Sequence, residues 1–226
     1  MRVRALAGSR LRGAVAGRSL VAPLVALILV QLLGLSGPPA PAAVSLVSAV
    51  SFALPVLSWA VRQVLDAEPD DQVHLSTLAV GGPVREVAAG LLAAYAVAAP
   101  LAVICAAGAL LHADDKGVPA RDAAAGLALA LATALVAVAV GALAARAVSG
   151  TGGAAVVVLV AAPVLIAVVG LSGNATVTAL VPRFDATVRA ANAGHFASQA
   201  PALLGQILLW SAVVLGLRLV VRMRSQ

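Results

Sequence analysis

The sequence predicts an all-α integral membrane protein with six transmembrane helices and both termini in the cytoplasm. Three observations predict it. Hydrophobic residues make up 62% of the 226-residue chain and charged residues 11%, where a soluble domain carries roughly a quarter charged. The charges are clustered: no Asp, Glu, Lys or Arg falls between Arg18 and Arg62, Glu86 and Asp114, Asp122 and Arg146, Arg146 and Arg183, or Arg189 and Arg218. Each gap has room for the roughly 20 apolar residues that cross a hydrocarbon core about 30 Å thick. Finally, the basic residues fall unevenly on the two sides of the spans so defined.

Six apolar stretches follow residues 1–18, at 19–35, 43–61, 87–111, 123–145, 154–171 and 203–221. Gly37-Pro38-Pro39-Ala40-Pro41 divides the first gap into two spans, because tandem prolines cannot continue a helix. In lipid only helices and closed barrels satisfy the backbone. Uninterrupted runs of Ala, Leu and Val specify helices, since barrel strands are shorter and alternate in polarity. Pro55, Pro100 and Pro163 fall inside the second, third and fifth spans and predict kinks there.

Orientation follows from Lys and Arg. With the N-terminus inside, Arg2, Arg4, Arg10, Arg12, Arg18, Arg62, Arg85, Arg146, Arg218, Arg222 and Arg224 face the cytoplasm. Only Lys116, Arg121, Arg183 and Arg189 face outward, in loops 112–122 and 172–202. The positive-inside rule therefore places both termini in the cytoplasm. Residues 1–18 hold five arginines and no acid. With the apolar run after them and Ala40-Pro41-Ala42 they imitate a signal peptide, but the basic region is long, which favours a cytoplasmic segment preceding a transmembrane domain of 19–226.

Several functions are excluded by what is missing. The basic residues sit at the ends of apolar segments with no aromatic-interleaved face, which argues against nucleic-acid binding. No carboxylate, histidine, lysine or arginine lies well inside a span, whereas proton- or sodium-coupled carriers need such groups there, and Cys105 is a small thiol. The only lysine, Lys116, precedes Gly117 and no phosphate-binding loop is present, so this chain is not expected to hydrolyse ATP by that machinery. Cys105 has no partner for a disulfide and reads as a small buried hydrophobe. His74, His112 and His195 occupy three separate loops on two sides and cannot form one metal site. Fourteen arginines to one lysine, with abundant alanine, suggest a GC-rich bacterial genome of actinobacterial kind, and so a bacterial plasma membrane.

Gly170-Leu171-Ser172-Gly173 fits the Gly-x-Ser-Gly of rhomboid-type intramembrane serine proteases, and His195 follows in the same outer loop. A serine nucleophile needs a nearby base. The same letters recur at Gly34-Leu35-Ser36-Gly37, where glycine simply ends a helix, so the terminator reading is favoured over the catalytic one. Loop 172–202 carries Val181, Phe184, Val188 and Phe196 among the polar Arg183, Asp185, Arg189 and His195. It reads either as a re-entrant or interfacial helix lining a substrate exit or as a loop shielding the bundle.

The inner loop 62–86 is the most informative stretch. Pro69 suits the start of a helix, and Asp70 and Asp71 sit where a helix dipole favours acids. Gly81-Gly82 ends that helix and Pro83 opens the next. A short cytoplasmic helix bounded so firmly reads as a docking element for a cytoplasmic partner.

At this loop the chain resembles the membrane subunits of ABC-2-type ATP-binding-cassette exporters. Leu75, Thr77 and Leu78 precede Pro83, Arg85, Glu86 and Gly90 at spacing similar to that family's coupling helix and third-span entry. A lysine beside Gly90 and an Arg-Glu-Arg run before the coupling helix are missing from the pattern. The resemblance implies a permease without enzymatic activity of its own, six helices per half, and a basic N-terminal elbow helix. Arg2, Arg4, Arg10, Arg12 and Arg18 would lie along the inner membrane surface and its lipids. Asp66, Glu68, Asp70, Asp71, His74, Leu75, Leu78, Arg85 and Glu86 would meet a cytoplasmic ATPase dimer. That dimer would hold ATP and Mg, and a second permease copy or paralogue would complete the pore. Arg183, Phe184, Asp185, Arg189, His195 and Phe196 would lie at the exit. The rival readings are a rhomboid-type protease and a non-transporting membrane scaffold.

Overall fold

The computed structural model describes residues 3–113, 119–172, 174, 178 and 180–224. Lys116, Gly173 and Thr176 lie outside the described residues. The chain folds into helices: α1 (Val3–Ala16), α2 (Val21–Leu35), α3 (Ala42–Leu65), α4 (Asp70–Val80), α5 (Pro83–His112), α6 (Ala120–Ala144), α7 (Arg146–Ser149), α8 (Gly152–Leu171), α9 (Phe184–Asn192) and α10 (Phe196–Arg224). No strand occurs among the described residues. Of these, α3, α5, α6, α8 and α10 are each long and apolar enough to cross a membrane. This is a multi-pass membrane protein.

The first expected span differs from the other five. At 15 residues, α2 is only about 22 Å long at 1.5 Å per residue, shorter than a hydrocarbon core of about 30 Å. It counts as a sixth span only as a bent pair with α1, which meets it at 77°. The bend sits at residues 17–20, where Arg18 takes a left-handed φ of 55°. A non-glycine residue is disfavoured there.

α6 is the central helix. Its most apolar stretch is 72% buried, against 17% for α8 and α10. α3, α5 and α6 pack on one another, with α10 and α8 on α6 and α2 on α3. Close approach of α6 to α3 depends on two glycines. A Cβ at Gly126 would lie 2.6 Å from Leu46 Cδ1, and one at Gly141 would lie 2.6 Å from the Ser58 carbonyl oxygen. α3, α5 and α8 continue through Pro55, Pro100 and Pro163 as single helices. Their outward faces are apolar, as lipid requires: Val157, Val160 and Leu165 on α8 and Leu209, Val213 and Leu217 on α10 are exposed.

One polar group in this core is unmet. Thr133 on α6 is fully buried, and its hydroxyl has no hydrogen-bond partner among the described residues. A buried unsatisfied hydroxyl costs roughly 1–3 kcal/mol, so Thr133→Val, which keeps the shape, is expected to raise thermal stability. A lower midpoint for the valine variant would mean the hydroxyl has a partner in the membrane.

Candidate functional site

α1 and α4 lie together at one end of the bundle. On α1, Leu6, Ala7, Arg10 and Ala14 form the buried face, the i, i+3/i+4, i+7 stripe of a helix packed on one side. Arg10 therefore points into the protein, whereas Arg4, Arg12 and Arg18 are exposed. Arg2 lies outside the described residues.

The Arg10 guanidinium binds two carboxylates. Its Nε donates to Glu68 Oε2 at 2.9 Å and its Nη2 to the same oxygen at 2.5 Å. Nη2 also donates to Glu86 Oε1 at 2.5 Å, and Nη1 to the Glu86 carbonyl oxygen at 3.3 Å. All three side chains are nine-tenths or more buried. Burial opposes the Arg10 charge, but hydrogen bonds to Glu86 and then Glu68, with their negative charge, outweigh it and hold its pKa above the ordinary value. Ser76 of α4 donates its hydroxyl to Glu68 Oε1. Gly90, one turn beyond Glu86, gives the guanidinium its space: a Cβ there would come within 2.5 Å of Arg10 Nη1. Glu86 and Gly90 together thus make an acid and a hole for one arginine.

Glu68 precedes α4 and Glu86 follows it, so one arginine of α1 clasps both feet of the α4 loop. A second network ties the same loop to α7. Asp66 Oδ2 accepts from Arg62 Nε at 3.2 Å, and its Oδ1 accepts from the Arg146 backbone N–H at 3.0 Å. Arg146 Nη2 donates to the Asp66 carbonyl oxygen at 2.8 Å.

α4 itself is bounded by its sequence. Pro69 is its N-cap. At the other end the Gly82 N–H bonds the Thr77 carbonyl at 2.9 Å and the Gly81 N–H bonds that of Leu78 at 3.2 Å. This pairing is the Schellman C-cap, which needs a left-handed residue, and Gly81 supplies it at φ 83°. Thr77 and Val80 face inward, whereas Leu75 and Leu78 are 66% and 68% exposed. Arg85 is exposed, with Nη1 donating to the Val80 carbonyl at 3.4 Å. The side chains of Asp70, Asp71 and His74 lie outside the described residues.

The expected docking set thus divides. Glu68 and Glu86 are spent on Arg10 and Asp66 on Arg62 and Arg146, which leaves Leu75, Leu78 and Arg85 outward. Ser76, Gly90 as a seat for Arg10, and Arg146 as a tether were not evident as site residues. For Arg62–Asp66 the i, i+4 spacing was the available signal, and for Arg10 the apolar stripe of α1.

At the opposite end, α9 packs on α3, α8 and α10. Phe184 and Phe196 are buried and His195 is exposed. Asp185 pairs with Arg189 and rests on Gly170, where a Cβ would lie 3.0 Å from its own Cβ. Arg183 is half-buried. Gln206 and Trp210 of α10 donate to carbonyl oxygens of Thr178, Val181 and Leu180, which fastens the preceding stretch to the bundle. Most of the expected exit loop is therefore packed structure, and α10 starts inside it, at Phe196. Ser172 donates its hydroxyl to the Val169 carbonyl at 2.7 Å, closing its own helix. No family model, curated protein or solved structure matches this chain.

Proposed function

We propose that the chain is the membrane subunit of an ATP-binding-cassette exporter of ABC-2 type. In this reading it sits in a bacterial plasma membrane with α4 and both termini on the cytoplasmic side. Separate ATPase subunits bind ATP and Mg, and a second copy or paralogue completes the pore. The observation that carries it is α4: a helix fixed at both ends between two membrane-length helices, holding Leu75 and Leu78 out into solvent.

A partner that pushes on α4 would move more than a loop. The push reaches α1 through Arg10 and α7 through Asp66, while the tight turn at Gly81-Gly82 passes it directly to α5. A rigid coupling needs short, buried, charge-assisted links, and the α4 end supplies them. Two features bear on the protease alternative. Gly170 seats Asp185 and Ser172 caps its own helix, so packing accounts for both residues without catalysis.

The test is a double substitution, Leu75→Asp with Leu78→Asp, in an affinity-tagged chain purified from its host membrane. The wild type should retain an ATPase subunit and ATP turnover. Each buried anchor is worth roughly 2 kcal/mol, so the variant should lose at least about tenfold of both. ATPase retention unchanged in the variant, or no ATP-hydrolysing subunit on the wild type, would sink the proposal and leave the scaffold reading.

A further inference from the structure

α2 packs mainly on α3 and only lightly on α5, which leaves space on both of its flanks. On the α3 flank is a cleft of about 230 Å³ walled by Gln31, Ser45, Ser48, Phe52 and His112 among others. On the α5 flank is a groove of about 270 Å³ whose walls include Leu24, Ile28, Leu32, Leu101 and Ile104. Gln31 and Leu35 line both, so the two spaces adjoin along one helix.

Their chemistry differs. The cleft gathers hydrogen-bonding side chains but, among the described residues, no carboxylate, lysine or arginine. Gln31 apart, the groove is hydrocarbon with the Cys105 thiol. Within α3 the serines normally return their hydroxyls to their own backbone. Ser51 bonds the Val47 carbonyl at 2.7 Å, Ser58 that of Leu54 at 2.8 Å, and Ser45 that of Ala40 at 3.2 Å. Ser48 is the exception: its hydroxyl has no partner among the described residues and lines the cleft. Gln31 Nε2 donates to the Ala49 carbonyl at 3.1 Å, which holds the amide in place and leaves its oxygen as an acceptor. His112 contacts the Gly37 carbonyl through Nε2 at 3.4 Å, leaving its other ring nitrogen.

Position adds direction. His112 ends α5 and Leu35 ends α2, so the polar cleft lies at the margin of the apolar bundle. From there the groove runs along α2 from Leu35 back to Leu24, into the apolar body of the bundle. A membrane amphiphile has the same layout, head at the margin and chain inward.

The geometry points to a binding site for an amphiphile with an uncharged, hydroxylated head group and an alkyl chain. Ser48, Gln31 and His112 hydrogen-bond the head, and the chain lies along Leu24, Ile28, Leu101 and Ile104. The head is assigned as uncharged because, among the described residues, the cleft offers no carboxylate, lysine or arginine to offset a charge's desolvation. This site does not depend on the exporter reading, since binding needs no ATPase.

The test uses the full chain in phosphatidylcholine nanodiscs, with Trp59 and Trp210 changed to Phe and Phe52→Trp as the reporter. A monoacylglycerol with a brominated chain is titrated as quencher. Quenching that saturates at low mole fraction is expected for the monoacylglycerol, while brominated phosphatidylcholine should quench only in proportion to its amount. Ser48→Ala and Gln31→Leu should each weaken the saturating phase roughly 3- to 10-fold, one hydrogen bond's worth, while Ser51→Ala should not. Retained shielding of Cys105 from a thiol dye confirms that each variant is folded. Proportional quenching by the monoacylglycerol, equal saturation by a brominated lysophosphatidylglycerol, or indifference to both variants would overturn the site. Saturable binding with no ATPase partner would leave the site standing and remove only the exporter reading.

Discussion

Arg10→Ala is expected to lower stability by roughly 3–5 kcal/mol, a fall in Tm of roughly 6–20 °C for a chain this size. The reason is the asymmetry of a buried ion pair. Removing the guanidinium leaves Glu68 and Glu86 with no cation, in a place where each is about nine-tenths buried. The single cysteine provides the readout, because Cys105 is buried and reacts with a thiol-specific fluorophore only as the bundle opens. Arg10→Lys should recover little, since an ammonium lacks the planar fork that reaches both carboxylates. Arg10→Met combined with Glu68→Gln and Glu86→Gln should recover much of the loss, because no uncompensated charge remains. A melting point for Arg10→Ala within about a degree of wild type would show that the carboxylates reach water, given the 2–4 °C expected per kcal/mol.

Gly141→Ala is the second large effect, and its sign is set by geometry against propensity. In an open helix, alanine gains about 1 kcal/mol over glycine. At Gly141 the new Cβ would lie 2.5 Å from Val61 Cγ1 and 2.6 Å from the Ser58 carbonyl oxygen. A side chain can turn aside, but that oxygen belongs to the α3 backbone and moves only if the helices part. Overpacking of this kind costs roughly 1–3 kcal/mol, and more for valine or leucine. Val61→Ala should therefore rescue Gly141→Ala only in part. Gly205→Ala on α10, where a Cβ meets nothing within 4 Å, should be neutral or stabilising. Equal melting points for the Gly141 and Gly205 variants would mean that α3 and α6 are not held this close.

The spans were legible because charge gaps and breakers are local properties of the chain. The runs read as 87–111 and 123–145 became α5 at Pro83–His112 and α6 at Ala120–Ala144. The limits of α4 were legible for the same reason, since Pro69 and Gly81-Gly82 act on their own backbone. The first span was less so, because hydropathy measures residue character and not the bend at Arg18 that shortens α2. The partners of Glu68 and Glu86 were hidden for a further reason. An acid beside a predicted docking helix looks the same in sequence whether it faces a partner or a buried arginine 58 or 76 residues away. Gly90 was legible as part of the third-span entry but not as the seat of Arg10, and Gly141 was silent in so alanine-rich a chain, where only coordinates tell which small residues are crowded.

Those separations of 58 and 76 residues also set a timetable. Translation proceeds at about 5–20 residues per second, so Glu86 is added roughly 4–15 s after Arg10. During that interval the first helix has been made, Glu68 becomes available before α4, and the full clasp waits for Glu86 at the start of α5. α1 thus waits without its full lock while the 76 residues that follow Arg10 are made. Whatever detains α1 in those seconds acts on the lock at the α4 end.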